Sequence, residues 1–559
     1  MESSKKRPRV GRPLIIGFIV LLGIIAVGLV GWNLYKYKFI KGKVKDAVYQ
    51  QSNGLYTIRY DDMQLDEVGG NLHVTNLQVI PDTARYRQLI TDKKNPPLLL
   101  SLLVPELTIT GVKTADIMVN KKVSGRTLSI ENATVLFYYA RSYPDSSKEA
   151  TRQEMYQQLL GNLNLIKVDS VQVNHVALSF VDIRRQETSI EASNISVHLQ
   201  DVLIDSLHRN DSTRFFFAKK IQVSGDSGFI KNKPSTYFFK FEGMSFTNNA
   251  QPMQGDFTVK SLEIEPQLSE ERYAAFSKVQ KDRFHLHFKG VSINNIQLYN
   301  LMQSDIFADS LVVQQASVKI FRDRSYPGDG KSKIGQFPQQ LLMKMPVFIA
   351  LKKLLVNNAF IEYKEKNPAS DYSGRVQFVN ARAVISNITN LPSLIKRNNQ
   401  CVINFNAGFL DLAKMHARLG LQLNDPKGRF TFSGGLDEGF DAPRLNKLIE
   451  PMGLAKIEKG RVNGLDFSFS AYDYGSNGRV TLLYDDLKLT LLKKDSAENK
   501  LQKKKLASFV ANILIKNSNP TRNKAPRVES VQYTRLKDKS FFNLMWKSVF
   551  TGLKQSAGM

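Results

Sequence analysis

A chain of 559 residues is too long for one compact core of ordinary size, so two or more domains, or one long repeat architecture, is expected. Its 42% apolar content and mean hydropathy of -0.26 exclude a polytopic membrane protein, and a single cysteine, Cys401, excludes an intrachain disulfide framework and a zinc site built on several cysteines. The net charge of +27 is scattered along the chain, which favours attraction to anionic membrane or envelope surfaces and argues against nucleic acid as a partner.

Residues 1–13 are a basic tail carrying Lys5, Lys6, Arg7, Arg9 and Arg12, and Leu14 to Leu34 is an uncharged run long enough, at about 31 Å as a helix, to cross a bilayer. Trp32, Tyr35 and Tyr37 mark its far end as an aromatic belt. A cleaved signal peptide is the alternative, but the run exceeds an ordinary signal core and Ala26 and Gly28 make a poor cleavage site, so an uncleaved anchor is expected. Lysines follow the span as well as precede it, so flanking charge nearly ties. A short basic tail before a first span and a large remainder after it place the bulk of the chain outside the cytoplasm.

Beyond the anchor the chain reads as short strands with few helices. Leu55 to Tyr60, Asn71 to Ile80, Glu106 to Gly111 and Leu128 to Tyr139 alternate or are rich in β-branched and aromatic residues, with turn signals such as Gly69 and Gly70 between them. The spacing predicts helices over Thr83 to Thr91 and Lys148 to Leu160.

The segment DSVQVNHVALSFVD, Asp169 to Asp182, reads as strand, tight turn, strand, with Asn174 and His175 at the turn and Val176, Leu178 and Phe180 alternating after it. It has a second copy in LLVNNAFIEYKE, where Ala359, Ile361 and Tyr363 stand 183 residues after those three. GNLHVTNLQVIP at Gly70 matches GDFTVKSLEIEP at Gly255, ELTITGV at Glu106 matches GVSINNI at Gly290, and RSYP at Arg141 recurs at Arg324. QQLL at Gln157 recurs at Gln339, and NISVHLQDV at Asn194 matches NARAVISNI at Asn380. Six matches in one order, with spacings drifting only between 182 and 186 residues, indicate a tandem duplication. Unit boundaries fall at about 54–250 and 251–435, and a C-terminal region, 436–559, carries an echo of SGRVQF (Ser373) in NGRVTL (Asn477).

Two β-rich units in tandem suggest one extended, curved antiparallel sheet with a few short helices. Roughly twenty strands about 4.8 Å apart would make a trough on the order of 100 Å long, with a concave and a convex face. Alternation puts Val176, Leu178 and Phe180 on one face of the first copy and Ala359, Ile361 and Tyr363 on the corresponding face of the second. Such a face is a lipid groove if it is open and a core if it is covered.

These patterns resemble AsmA-like envelope proteins, especially the forms typical of Bacteroidota. The resemblance is carried by the N-terminal anchor followed by NLHVTNLQVIPD, by KKLLVNNAFIEYKE with SGRVQFVNARAVISNITN after it, by NGRVTLLYDDLKLTLLKKD, and by the tail with SFVANILIKN and SFFNLMWKSVFTGLKQ. It implies a single-pass inner-membrane anchor, a periplasmic β-groove akin to that of bridge-like lipid transfer proteins, phospholipid as the bound partner, and a role in outer-membrane lipid homeostasis. The alternative is an assembly factor or scaffold that binds other envelope proteins through exposed strand edges.

Catalytic signatures are not found: there is no Walker-type loop, no HExxH, no GxSxG and no paired-cysteine spacing, so no enzyme activity, cofactor or metal is expected. His285 and His287 share a strand face but read as ordinary alternation, and Asp485 and Asp486 as a hydrophilic turn or edge. Near the C-terminus, Phe542, Trp546, Val549 and Leu553 follow helical spacing with Lys547 and Lys554 nearby. This helix is expected either to cap the last strands or to lie on a membrane.

Overall fold

The computed structural model describes residues 48–112, 120–140, 163–249, 253–494, 501–503 and 516–558, apart from positions 51, 67, 97, 206, 209, 210, 212, 216, 232–235 and 371. The span Leu14 to Leu34, the basic tail, the helix expected over Lys148 to Leu160, the first RSYP and QQLL copies and most of SFVANILIKN lie outside the described residues. Among the described residues no helix is long and apolar enough to cross a membrane.

The described chain is mainly β and divides into two compact units. One comprises residues up to Leu262 together with Asn294–Ser304; the other comprises Glu263–Ile293 and everything from Asp305 onward, so the C-terminal region belongs with the second sequence copy.

In the first unit the elements are β1 (Tyr56–Arg59), β2 (Asp62–Asp66), β3 (Asn71–Pro81), helix α1 (Thr83–Thr91), β4 (Leu99–Thr110), β5 (Lys122–Glu131), β6 (Thr134–Tyr139), β7 (Leu165–Asp182), β8 (Glu187–Asp205), β9 (Ala218–Lys231) and β10 (Tyr237–Asn249). Strand β11 (Gln254–Pro266) follows and ends in the second unit. Short β1 and β2 both pair with β3, which pairs with β4. Short β5 and β6 share the lane between β4 and β7, and β8, β9 and β10 follow in turn. Helix α1 spans the residues expected, and Asp82 caps its start, its carboxylate accepting from the Arg85 amide at 2.8 Å.

In the second unit α2 (Glu270–Ser277) precedes β12 (Arg283–Gln297), and the short α3 (Leu298–Met302) returns to the first unit. Next come β13 (Ile306–Asp323), α4 (Pro338–Lys344), β14 (Ile349–Lys366), β15 (Gly374–Thr389), α5 (Pro392–Arg397), β16 (Gln400–Phe409), β17 (Ala413–Gln422), β18 (Phe430–Leu436) and β19 (Phe440–Asp441). The chain closes with α6 (Asn446–Gly453), β20 (Ala455–Tyr472), β21 (Gly475–Lys494), β22 (Leu501–Lys503), β23 (Glu529–Thr534) and α7 (Phe541–Ala557). The ladder runs from β13 through β14, β15, β16, β17 and β18 to β20, β21 and β23.

Two expectations are corrected. The pairing is mixed, not purely antiparallel: β5 and β6 run parallel to β7, and β13 runs parallel to β14. The chain between Tyr139 and Leu165, and between Asp323 and Ile349, is long enough for it to cross over and re-enter in the same direction, which a tight hairpin cannot do. In the second unit α4 occupies that crossover.

The second correction concerns DSVQVNHVALSFVD, which is no hairpin. It is one continuous strand, β7, with a bulge between Val173 and Val176, where His175 takes a positive φ of 56°, and further register shifts against β8 at Val176/Leu178 and Phe180/Val181. Turn-type residues here supply one extra residue instead of a reversal, so Val171 and Val173 stay on the same face as Val176, Leu178 and Phe180. The second copy does the same: β14 is continuous, with irregularities between Val356 and Ala359 and between Ala359 and Ile361, and with Asn358 at positive φ.

The duplication is legible in the backbone. Positive φ recurs at Gly111 and Asn295, at His175 and Asn358, at Asn194 and Asn380, and at Asp201 and Asn387. A side-chain bond recurs with it, since Asn174 donates to Glu131 at 2.7 Å and Asn357 donates to Gln314 at 3.0 Å.

Candidate functional site

In-register neighbours on paired strands present their side chains to the same face, so the ladders extend each predicted row into a surface. In the first unit Leu128 and Ile130 of β5 sit beside Val171 and Val173, and Val135 and Phe137 of β6 sit beside Leu178 and Phe180. On the other flank are Leu199, Val197, Ala192 and Ile190 of β8. This part is a packed core: Val171, Leu128, Ile130 and Leu199 are fully buried, Val176 and Phe180 are buried, and Leu178 is half-buried. Phe180 stacks on Phe137 at 4.8 Å between ring centres. Toward β9 and β10 the same face opens, with Ile230 44% and Phe239 37% exposed.

The second unit carries the corresponding row in a different setting. Ala359 is buried, but Leu354, Val356, Ile361 and Tyr363 are all only half-buried. Beside them lie Leu311, Val313 and Val318 of β13 and Ile385, Ala383 and Phe378 of β15. The surface continues through Ile403, Phe405 and Phe409 of β16 to Met415 and Ala417 of β17, most of it half-buried. Phe378 packs edge-on against Phe405 at 5.8 Å and lies 5.9 Å from Phe409. Sequence reading missed these three rings, although alternation in VQFVNARAVI and INFNAGF marks them.

Helices cover one end of this face. Phe337 at the start of α4, Ile395 of α5, and Phe541, Leu544 and Val549 of α7 close over Cys401, Leu419, Leu421, Phe430, Phe432, Phe469 and Val480. The end of α7 comes so close to the sheet that a Cβ on Gly552 would stand 2.4 Å from Val480 Cγ2. So α7 does cap the last strands, with Val549 and Leu553 of the expected stripe packed on them and Phe542 and Trp546 off them. Val549 is buried, whereas Phe542 is 71% and Trp546 49% exposed on its outer side. Packing selects Phe541, Leu544, Ser548 and Gly552, because small residues let the helix approach where Trp546 would hold it off.

A buried latch fixes this cover. The Arg535 guanidinium lies over the Phe337 ring at 4.4 Å, donates to the Asp473 carbonyl at 2.9 Å and carboxylate at 3.3 Å, and donates to the Lys333 and Lys539 carbonyls. Asp473 also accepts from Gln340 at 2.7 Å and from the Gly335 amide at 3.0 Å. One ion pair thus ties the α4 segment, the β20–β21 turn and the approach to α7 together.

Strand ends form the rims of the apolar face, and at one of them four cations are answered by carboxylates. Arg322 pairs with Asp282 at 2.7 Å, Arg324 with Glu365 at 3.1 Å, Lys364 with Glu270 at 2.6 Å and Lys366 with Asp323 at 3.1 Å. Tyr363 donates its hydroxyl to Glu365 at 2.8 Å, and burial, together with the Glu365 charge, pushes its ionisation well above the ordinary tyrosine range.

Compared with known proteins, the chain matches no family model and no curated protein. Its chemistry is therefore read from its own residues. His285 is hydrogen-bonded to Glu263 at 2.9 Å, Asp485 accepts from Asn463 at 2.7 Å, and Asp486 pairs with Lys459 at 2.7 Å, all on strands and not at a turn. No group of three or more potential metal ligands is present among the described residues. What the fold assembles instead is an apolar surface, closed in part of each unit and open in the rest.

Proposed function

We propose that the chain is a non-enzymatic, membrane-anchored envelope protein of the AsmA-like kind, with its bulk in the periplasm, whose open apolar sheet faces hold the acyl chains of phospholipid and so support outer-membrane lipid homeostasis. One observation carries the reading: the second copy keeps the apolar alternation of the first but leaves Leu354, Val356, Tyr363 and Phe378 half-buried where their counterparts Val171, Val173, Phe180 and Ala192 are buried. A half-covered apolar surface of this breadth calls for a ligand, since water contact along it is unfavourable and acyl chains relieve it without any polar matching. The N-terminal run Leu14 to Leu34 and the sequence resemblance support the anchor and the compartment.

Lipid extraction from the purified full-length chain, followed by mass spectrometry, tests the proposal. Stoichiometric phospholipid that survives detergent washing is expected, and its loss on Val356→Asn or Phe405→Asn with folding retained would tie it to this face. Lipid-free protein, or retention untouched by both substitutions, would overturn the reading. A second reading, an assembly factor that binds other envelope proteins, is favoured by the outward Phe542 and Trp546 of α7. Crosslinks from α7 to reproducible protein partners in lipid-free material would select it.

A further inference from the structure

The two rims of the apolar face in the second unit differ in charge balance. At the Tyr363 end four cations are paired with carboxylates, as described above, and Arg375 alone of the strand-end cations on β14 and β15 there has no partner among the described residues. At the opposite end, where α5 passes from β15 to β16, a recess of about 730 Å³ opens among α5, the tip of α4 and the end of β17. Its apolar side is made by Met343, Pro392, Ile395 and Leu423, and its polar side by Lys396, Arg397 and the amide side chains of residues 398–400. No carboxylate lines it, and neither Lys396 nor Arg397 has an ion-pair partner among the described residues.

The bland account is that two cations in the last turn of α5 answer the negative end of the helix. That accounts for their sign. It does not account for their standing at a recess whose floor runs into the apolar face, because Ile395 and Leu423 pack in the same cluster as Cys401, Ile385 and Ile403. A ligand lying here meets cations and amide donors on one side and Met343, Pro392 and the edge of the cluster at Ile395 and Leu423 on the other, with the half-buried Ile385 and Ile403 beyond it.

We infer that this recess receives the anionic headgroup of a phospholipid whose acyl chains lie on the apolar face toward Ile403 and Phe405. The inference rests on the acyl-chain reading proposed above and names the lipid class that reading leaves open. Acyl chains are alike among phospholipids, so any selectivity must come from a rim. At the Tyr363 rim an added anion would compete with carboxylates already in place; at the α5 rim it meets two uncompensated charges.

The test uses the full-length chain, incubated with vesicles containing equal phosphatidylglycerol and phosphatidylcholine, re-isolated, and its retained lipid quantified by mass spectrometry. The wild type is expected to enrich phosphatidylglycerol about five- to tenfold, the size of one or two solvent-exposed ion pairs, and to lose the enrichment as salt rises. Lys396→Gln with Arg397→Gln, both exposed and so neutral to folding, should bring the ratio close to one. An unchanged ratio in the double variant, or no enrichment in the wild type, overturns the headgroup assignment while retained lipid of either kind leaves the acyl-chain reading standing. Retention of no lipid at all overturns both. Competition by glycerol 3-phosphate or inorganic phosphate alone, at concentrations that spare total lipid retention, would reassign the recess to a free phosphate.

Discussion

Replacing Phe180 and Tyr363 by alanine, one at a time, separates core from open face, because the two residues occupy equivalent positions of the duplicated unit. Phe180 is buried and stacked on Phe137 at 4.8 Å, so Phe180→Ala leaves a cavity with little means of collapse. Such truncations cost about 3–5 kcal/mol, of which the ring stack contributes about 1. Tyr363 is only half-buried, so truncation forfeits less transfer free energy, and Glu365 loses one hydrogen bond but keeps its pair with Arg324. About 2 kcal/mol is expected in all. Pulse proteolysis across a urea series, with the cleavage fragments assigned to each unit by mass spectrometry, reads both losses in the intact chain. The reasoning is refuted if the two costs agree within about 0.5 kcal/mol, the margin within which distant, independent substitutions add, for then the second face is core as well and acyl chains have nowhere to lie.

Gly552→Ala puts a methyl group into Val480 and should cost about 1–3 kcal/mol, read as faster hydrogen exchange in α7 while β14 and β15 keep their protection. Asp473→Ala strands the buried Arg535 and should cost about 3–5 kcal/mol, with proteolytic release of the chain after Thr534 as the readout; a neutral result would show that the latch does not hold the cover. Burial pushes the Cys401 thiol up to about 11, so labelling by a maleimide at neutral pH should be at least about tenfold slower than for a free thiol until denaturant is added, and prompt labelling of the folded chain would place Cys401 at the surface. Burial would raise the Asp201 carboxyl, but hydrogen bonds from Lys219 and Arg214 outweigh it and hold it below its ordinary value. The stability it contributes is therefore full above the unfolded value of about 4 and is lost as pH falls through the lower folded value. Hydrogen exchange of β8 and β9 near Asp201 should rise over that acid range in the wild type and show no such step in Asp201→Asn.

Strand content and the duplication were readable from sequence, because period-two alternation and a repeat of about 183 residues are local and linear signals. Strand continuity was not. NH and NN between two alternating runs carry the same left-handed preference whether they reverse the chain or insert one residue, and only the ladder partners, Ser196 and Ile195 beside His175 and Val176, decide between the two. Parallel pairing was hidden for a similar reason, since alternation reports faces and not directions. The candidate residues fell on one face as read, yet alternation is identical above a core and above an open surface, so the contrast between Phe180 and Tyr363 came from what covers them. On α7 helical spacing alone admitted several stripes, and Gly552 and Ser548 chose the buried one.

The bulges recur at matching positions in both copies, at His175 and Asn358 and again at Asn194 and Asn380. They therefore date from the single ancestral unit, before it doubled, and the curvature they impose is older than any difference between the copies. Divergence since then has been written in side chains and in what lies over them, not in the course of the backbone.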